Sequence, residues 1–441
     1  MEIVRDQEIS EPVSPTGQFM SNSVLSLSII AVMELEEPFD DSLSIIPFLK
    51  DVFLPINPRF SSIMVGDKDG VKRWKKVEVR LSDHVNFPVF TAGMSAQFYD
   101  GCFDEYLSKM ATEQFPQSQP LWEVHVINYP TSHAASNIIF KLHHSLADNP
   151  SLPLTIPSVQ LHTSKYGRNF SMLPTFLSCV YNSASDFCSS IIRSCLDKED
   201  ETPIRSGHSG VESLPVAITT ITFSLDHIKQ IKAKLGVTLN DVITGTIFLG
   251  ARMYMETVSQ GSGSACSSSL VLLNTRMLGG YKSVQEMLKP DSEAPWGNHF
   301  SFLKIPIPKL GDAEATNNPL KFVMDPRKII KRKRSSIGVF LTAKYLLLVA
   351  RFRGPNGASK CIRGTVENTS MAISNVRGPM EQMAFSNKPI NGLYFVVTGA
   401  PQGSFVVALL VEKDFIDPQK LKSQIEKAFE MISEAACRES T

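Results

Sequence analysis

The sequence lacks the features by which several large protein classes are recognised. Its formal net charge is zero, because 44 Lys and Arg residues balance 44 Asp and Glu residues. Nucleic-acid-binding proteins usually carry a basic excess that neutralises phosphates, so we expect no nucleic-acid partner. The seven cysteines are scattered between Cys102 and Cys437 without a C-x-x-C pair, which argues against a zinc ribbon and a secreted disulfide scaffold. We therefore expect reduced thiols in the cytosol.

Long apolar runs are absent as well. The longest, near residues 24–33 and 339–350, fall short of the roughly 20 residues that a membrane-spanning helix needs. The first ten residues are polar and mildly acidic, unlike a signal peptide. Hydrophobic residues still make up 43% of the chain and charged residues 20%, which is typical of globular proteins. We expect a globular protein without a membrane span.

Strands and helices alternate along most of the chain. Apolar patterns predict strands at residues 26–35, 71–79, 121–129, 137–142, 216–225, 270–275, 300–307, 393–398 and 404–412. Helical spacing predicts helices at residues 41–53, 226–235, 239–256 and 418–436, the second of them capped by Asp226. A Ser-rich polar stretch with one apolar helix at 176–196 interrupts the pattern. We therefore predict an α/β half at residues 1–160, a linker at 161–214 and a second α/β half at 215–441.

Several common catalytic motifs are missing. The sequence has no P-loop, no G-x-G-x-x-G after a strand, no H-E-x-x-H and no G-x-S-x-G elbow. Nucleotide hydrolysis, dinucleotide redox chemistry, zinc proteolysis and the standard esterase triad therefore lose their main support.

One motif is compatible with acid–base chemistry. His143 and His144 follow the predicted strand 137–142, and Asp148 comes four residues after His144. A neutral imidazole is the natural base for taking a proton from an alcohol near pH 7. The alternative is an ordinary hydrogen-bonded His–Asp pair without a catalytic role.

The motif stands in an ordered series of short sequence elements. These are Pro12–Met20, Pro120-Leu-Trp122, His143-His-x-x-x-Asp148, Asn240-Asp241, Asn274-Thr-Arg276, Trp296-Gly-Asn298 and Ser374-Asn-Val-Arg-Gly-Pro379. In this order they resemble the plant wax ester synthase/diacylglycerol acyltransferase family. The resemblance extends from about Pro12 to the end of the chain.

This resemblance implies a fold and a reaction. The implied fold is two chloramphenicol-acetyltransferase-like α/β domains with mixed sheets, joined by a crossover linker, with the active site in a tunnel between them. The implied reaction transfers a fatty acyl group from acyl-CoA to a long-chain alcohol, which makes wax esters, with triacylglycerol synthesis from diacylglycerol as a further activity. Acyl-CoA is then a co-substrate, and no cofactor or metal is expected.

The resemblance also implies residue roles. His144 becomes the general base and His143 its neighbour, while Asp148 holds the loop with Arg276 as its candidate partner. Candidates for substrate binding or for stabilising the oxyanion are Asn240, Asp241, Asn298 and Asn375.

The sequence departs from the family pattern after the motif. Asn149-Pro150 follows Asp148 where family members have glycine. In the next stretch, where a helix is expected, residues 153 and 157 are prolines. A catalytically impaired, lipid-binding remnant of the family is therefore an alternative. A soluble acyltransferase of small metabolites is another, although its Asp-Phe-Gly-Trp-Gly element is absent.

A basic run at residues 327–334 precedes an apolar stretch at 337–349. These segments are either a solvated face followed by a core helix or an interfacial helix beside anionic headgroups. The second interpretation suits membrane-borne substrates, and it predicts attachment to the cytosolic face of the endoplasmic reticulum membrane, with the plasma membrane as the alternative.

Overall fold

The computed structural model describes residues 9–39, 42–66, 71–147, 199–208, 214–274, 300–310, 318–334, 338–374, 383–386, 388–398 and 408–438. Its strands are β1 Ile9–Pro12, β2 Ser28–Leu35, β3 Ser62–Gly66, β4 Lys72–Lys76, β5 Val85–Asn86, β6 Trp122–Ile127, β7 Ser136–His143, β8 Val216–Thr220, β9 Ser268–Asn274, β10 Phe300–Pro306, β11 Met371–Ile373, β12 Ala384–Phe385, β13 Lys388–Thr398 and β14 Ala408–Glu412. Its α-helices are α1 Pro15–Phe19, α2 Ser42–Phe48, α3 Leu54–Ile56, α4 Ala96–Thr112, α5 Leu225–Leu235, α6 Leu239–Val258, α7 Lys321–Arg334, α8 Gly338–Glu367 and α9 Pro418–Arg438.

A six-stranded mixed sheet forms the centre of the molecule, in the order β12-β13-β2-β7-β6-β5. Strand β7 pairs antiparallel with β2, which places His143 opposite Ser28. On its other edge, β2 pairs antiparallel with β13, with Met33 opposite Leu393. Strands β12 and β13 come from the predicted C-terminal half, so the sheet that carries the His-His motif is built from both halves of the sequence.

Both faces of this sheet are buried, as the nearly continuous apolar runs of β2 and β7 indicate. Ala31 and Leu35 of β2 face a core that contains Trp122. Ile30 and Val32 face a second core, in which α4 and the antiparallel strand pair β8–β14 cover the sheet. The sheet is therefore enclosed on both sides, and polar side chains on these faces must find partners inside the protein.

A second unit is built from residues after 214. Its strands form the sheet β10-β9-β11 and the antiparallel pair β14-β8. Helix α6 starts with a capping box, in which the Thr238 side chain accepts from the Asp241 backbone N–H and the Asp241 side chain accepts from the Thr238 backbone N–H. Its two glycines permit close helix contacts: a Cβ on Gly245 would lie 2.6 Å from Cγ2 of Val323 in α7, and one on Gly250 would lie 2.5 Å from Cα of Ile425 in α9.

Helix α8 has a sharp kink. Gly354 adopts a left-handed φ of 71°, and Pro355 follows it. Beyond the kink, the Ser359 hydroxyl donates to the Phe19 carbonyl of α1 at 2.7 Å. None of the helices among the described residues has the length and apolar character needed to cross a bilayer.

Most of the predicted elements are confirmed. The strands predicted at 26–35, 121–129 and 137–142 appear as β2, β6 and β7, and the helix predicted from 239 appears as α6. The predicted helix at 41–53 is present, although its last part, Leu49–Phe53, is π-helical. The helix at 176–196 lies outside the described residues, and the proposed domain boundaries stay predictions.

One local prediction is wrong, and several helices were not predicted. Ser224, and not Asp226, caps α5, because its side chain accepts from the His227 N–H one turn ahead. The longest of the helices that were not predicted are α4, whose apolar stripe covers the central sheet, and α7.

Candidate active site

The His-His motif lies at the carboxyl end of β7, where the backbone is tied to both neighbouring segments. The His143 N–H donates to the Leu121 carbonyl at 2.9 Å, and the His144 N–H donates to the Leu27 carbonyl at 2.8 Å. A 3-10 turn, His144–Ala147, follows directly. Asn57 supports this turn, because its side-chain amide donates to the Leu146 carbonyl at 3.3 Å. The two histidines therefore have a well-defined backbone position.

The His143 ring is buried and fully engaged. Its Nδ1 lies 2.7 Å from Oγ of Ser145 and accepts from the Ser145 backbone N–H at 3.2 Å. Since Nδ1 is an acceptor, the ring proton lies on Nε2, which is 3.3 Å from Oγ of Ser26. Burial lowers the pKa of His143 to about 3, and the nearby His144 and Lys72 add to this effect. His143 is thus a neutral, immobile ring at neutral pH.

His144 has a different environment. Its side chain is half-buried, whereas His143 on one side and Ser145 on the other are buried. Because the chain leaves the strand for the 3-10 turn at this residue, adjacent histidines do not share one environment. Of the two rings, only that of His144 is exposed enough to meet a substrate.

A buried polar cluster occupies the face of the sheet on which His143 lies. Lys141, two residues before His143 on β7, is completely buried, and its Nζ lies 3.0 Å from Oε1 of Glu123. The Lys141 ammonium also lies 4.7 Å from the centre of the Phe115 ring. That ring is edge-on to the His143 ring, with centroids 6.3 Å apart. Phe115 therefore connects the buried ion pair to the candidate site.

The same cluster contains a second buried histidine, His125. His125 of β6 lies 2.7 Å from the Tyr106 hydroxyl of α4 through Nδ1, and its Nε2 lies 3.6 Å from Oε2 of Glu123. Burial lowers the pKa of His125 to about 4 and raises the pKa of Tyr106 to about 12. None of these residues was predicted from the sequence, although the alternation of Lys141 with His143 on one strand was a readable signal.

Comparison with known proteins agrees with the motif order. Residues 296–433 match the family model described as the WS/DGAT C-terminal domain. Wax ester synthase/diacylglycerol acyltransferase 11 of Arabidopsis thaliana is 25% identical, over 98% of this chain and 96% of its own length. Wax ester synthase/diacylglycerol acyltransferase 4 of the same plant is 26% identical, over 98% of this chain and 92% of its own. Over nearly its whole length the chain is therefore similar to members of the wax ester synthase/diacylglycerol acyltransferase family.

Solved structures confirm the predicted fold class. The wax ester synthase/diacylglycerol acyltransferase from Marinobacter aquaeolei VT8 superposes with a TM-score of 0.57 at 15% identity, covering 96% of this chain and 99% of that one. A trichothecene 15-O-acetyltransferase from Fusarium sporotrichioides superposes with a TM-score of 0.53 at 11% identity, covering 97% and 95%. At these identities the likeness concerns the fold, which is the mixed α/β acyltransferase architecture expected from the motifs.

The other motif residues of the wax ester synthase/diacylglycerol acyltransferase family fall in two groups. Asn240 and Asp241 lie in the first turn of α6, where Asn240 is exposed and Asp241 is buried. The Asp241 carboxylate accepts from the Thr238 N–H and hydroxyl at 2.8 Å and lies 3.6 Å from Nε of Arg327. These contacts hold a helix start in place. The second group, Asp148, Arg276, Asn298 and Asn375, lies outside the described residues.

Within the described ranges, no group of three or more His, Cys, Asp and Glu side chains is arranged to hold a metal ion.

Proposed function

We propose that this chain is an acyl-CoA-dependent O-acyltransferase that makes wax esters from long-chain alcohols and accepts diacylglycerol as a second acyl acceptor. One observation carries the proposal. Two adjacent histidines at the end of a central strand have opposite environments, with one ring buried and neutral and the other half-buried. The family relatives are named for both activities.

In the proposed reaction, His144 is the general base. The acceptor hydroxyl attacks the thioester carbonyl while the imidazole takes its proton, because an alcohol is too weak an acid to lose that proton beforehand. The tetrahedral intermediate then expels the CoA thiolate, which recovers the proton from the imidazolium. The products are the ester and free CoA, and no acyl-enzyme forms.

His143 supports this step through its neutrality. A protonated His143 would repel a proton arriving on the adjacent His144 ring. Burial keeps His143 neutral, and its bonds to Ser145 hold the first residues of the turn in place. We infer that His143 positions the turn and does not itself exchange protons with the substrate.

The remaining motif residues keep the roles that the family suggests. Asp148, with Arg276 as partner, would fix the loop after the turn. Asn240, Asp241, Asn298 and Asn375 are candidates for substrate contacts or for oxyanion stabilisation. Of these, Asp241 is already engaged in a helix cap, which makes the three asparagines the better candidates. Acyl-CoA is proposed as a co-substrate, with no resident cofactor.

A direct assay tests the proposal. Membranes containing the protein are incubated with labelled palmitoyl-CoA and either hexadecanol or diacylglycerol, and the neutral lipids are separated. We expect label in wax ester, with a smaller amount in triacylglycerol. The protein could instead leave both lipid products unlabelled and transfer acyl groups to small water-soluble alcohols. That result would point to a metabolite acyltransferase.

We also propose that the enzyme docks on the cytosolic face of the endoplasmic reticulum membrane. Helix α7 is largely a packed helix, since Phe322 and Val323 are completely buried and the Lys333 ammonium donates to the Lys304 carbonyl at 2.7 Å. The first part of α8 is better suited to a bilayer. Its Leu346, Leu347 and Ala350 pack on the core that contains α1.

The opposite side of that part of α8 combines apolar and basic groups. Phe352 is 80% exposed and Leu348 is 53% exposed, and Arg351 and Arg353 beside them are exposed as well. Apolar side chains flanked by arginines are typical of helices that lie at anionic lipid surfaces. Each basic residue near such a surface contributes about 1 kcal/mol.

Vesicle flotation tests this docking face. Leu348→Gln combined with Phe352→Gln should reduce binding to vesicles that contain anionic lipid, and Arg351→Gln with Arg353→Gln should make the remaining binding less sensitive to salt. Val89→Gln is the matched control, because Val89 is an exposed apolar residue that is distant from α8 in the sequence. Unchanged flotation of both α8 variants would rule out this face.

A further inference from the structure

The C-terminal unit contains an apolar cavity of about 60 Å³. It lies among α6, α9, β11, β14 and the described segment 199–208, which falls within the predicted linker. Its lining includes Ile204, Ile247, Ala251, Met371, Leu410 and Leu421. Every one of these side chains is aliphatic or a thioether, so the lining offers no side-chain hydrogen bond to a polar ligand. An apolar lining of this kind favours hydrocarbon over polar ligands.

The cavity occupies a gap between two sheets. Strand β11 is the edge of the sheet β10-β9-β11, and β14 is one strand of the pair β14-β8. Consecutive residues of both strands line the cavity, at 371–373 and 408–411. The two strands thus face each other across the gap without being hydrogen-bonded neighbours in the described sheets. A flexible hydrocarbon chain fills such a gap without needing backbone hydrogen bonds.

Strand β14 connects this gap to the sheet that carries the histidines. Ala408 and Leu410 belong to the core that also contains Ile139 of β7, two strand positions before Lys141. Leu409 packs against the core of the C-terminal unit, which includes Val411. Strand β14 therefore lies between the cavity and the face of β7 that carries His143.

We propose that this cavity receives the methyl end of the fatty acyl chain of acyl-CoA. This inference rests on the proposed acyltransferase function and adds a site that sets chain length. With the thioester carbonyl at His144, the chain runs past β14, and its last carbons enter the gap beside β11. The small volume accommodates the end of a chain, not its whole length, so the depth of the cavity determines which chain lengths fit.

Two of the lining residues, on different helices, offer a way to change the volume of the cavity. Ala251 of α6 is small, so Ala251→Leu fills the cavity and should shift the preferred acyl-CoA toward shorter chains. Leu421→Ala on α9 enlarges it and should shift the preference toward longer chains. One methylene in an apolar pocket changes selectivity by about 10–200-fold, so the ratio of kcat/KM for neighbouring even chain lengths should move by at least about tenfold.

Ile432→Ala is the matched control for the enlarged variant. Ile432 lies on the same helix as Leu421 and is completely buried, but it does not line the cavity. It should lower stability as Leu421→Ala does while leaving the chain-length profile unchanged. Equal profiles for wild type, Ala251→Leu and Leu421→Ala would overturn the proposal.

A photocrosslinking experiment on the wild-type chain separates this inference from the proposed reaction. A non-hydrolysable thioether analogue of palmitoyl-CoA carries a diazirine at the methyl end of its chain, and the labelled peptides are identified by mass spectrometry. We expect labels within 204, 247–251, 371–373, 408–411 or 416–425, competed by palmitoyl-CoA. Specific labelling elsewhere would overturn the cavity assignment even if the enzyme is active. Labelling at the cavity by a protein without turnover would instead support the site and contradict the proposed reaction.

Discussion

Ser145 holds the ring of His143 from two directions, with Oγ 2.7 Å and the backbone N–H 3.2 Å from the same Nδ1 atom. The acceptor nitrogen of His143 is thereby occupied within the turn itself. Both residues are buried, at 4% and 0% exposure. These hydrogen bonds therefore stabilise the turn that begins with His144. Because only His143 has this role, the two histidines should respond differently to mutation.

The first prediction compares these two histidines. His144→Ala should lower kcat/KM by about 10²–10⁴-fold, the usual effect of losing a general base. His143→Ala should lower activity less and stability more, because it removes a buried brace and leaves the Ser145 hydroxyl without its partner. Activity is measured at matched amounts of folded protein, verified by thermal unfolding. Wild-type activity in His144→Ala would remove its assignment as the base.

The second prediction concerns pH and stability. Burial lowers the pKa of His125 to about 4 and that of His143 to about 3, whereas the ordinary value is near 6.5. Below pH 6.5 the unfolded chain therefore binds protons that the folded chain does not, and the free energy of unfolding falls as the pH falls toward 4. Between pH 7 and pH 5, each histidine should lower it by about 2 kcal/mol.

Urea unfolding at pH 7, 6 and 5 measures this effect. His125→Gln should reduce the loss of stability over this range by about 2 kcal/mol, because one titrating group is removed. His227→Gln, at an exposed histidine of α5, is the control and should leave the loss unchanged. If His125→Gln keeps the full pH dependence of the wild type, the buried His125 ring is not the source of the loss of stability.

The third prediction concerns the contact between α6 and α9. A Cβ on Gly250 would lie 2.5 Å from the backbone of Ile425, so one helix must move to accommodate an alanine. Gly250→Ala should lower the free energy of unfolding by about 1–3 kcal/mol, as overpacking usually does. Gly364→Ala is the control, since nothing lies within 4 Å of the position that its methyl group would take, and it should be neutral or stabilising by up to about 1 kcal/mol. Equal stability of the two variants would contradict the close contact.

The fourth prediction concerns the residues after the motif, which lie outside the described part of the chain. Pro150 disfavours helical and left-handed backbone at Asn149, where family members have glycine. We expect low activity, because a displacement of about 1 Å at a catalytic group can lower the rate about 10²-fold. Asn149→Gly with Pro150→Met should raise kcat. The wild type could instead be inactive but bind diacylglycerol, and the double variant could gain no activity. That result would favour the interpretation of the chain as a lipid-binding remnant.

The regular parts of the fold were predictable because local patterns determine them. Strands β2 and β7 are nearly continuous apolar runs, and α6 begins with a recognisable capping residue. Helix α4 also carried a signal, since Tyr99, Phe103, Leu107 and Met110 recur at helical spacing after the capping Ser95. Strand β13 was predicted too short because Pro389 and Gly392 interrupt its apolar pattern, and the register shifts beside Gly392.

The candidate site was predictable only in part. The motif order identified His143 and His144, but the sequence did not show that one ring is buried and the other half-buried. The ion pair of Lys141 with Glu123 joins different strands, and the Phe115 ring that bridges it to His143 comes from a third segment. Such partners meet only after the sheet has formed, and a single sequence carries no local signal for them.

The pairing of β13 with β2 has a consequence for how the protein is made. During synthesis, residues 28–35 leave the ribosome long before residues 388–398, so one edge of β2 has no partner until nearly nine-tenths of the chain exists. A strand with an open edge can pair with other chains. The N-terminal half should therefore need protection by a chaperone while it waits, and a messenger truncated before codon 388 should yield an aggregating product rather than a small folded domain.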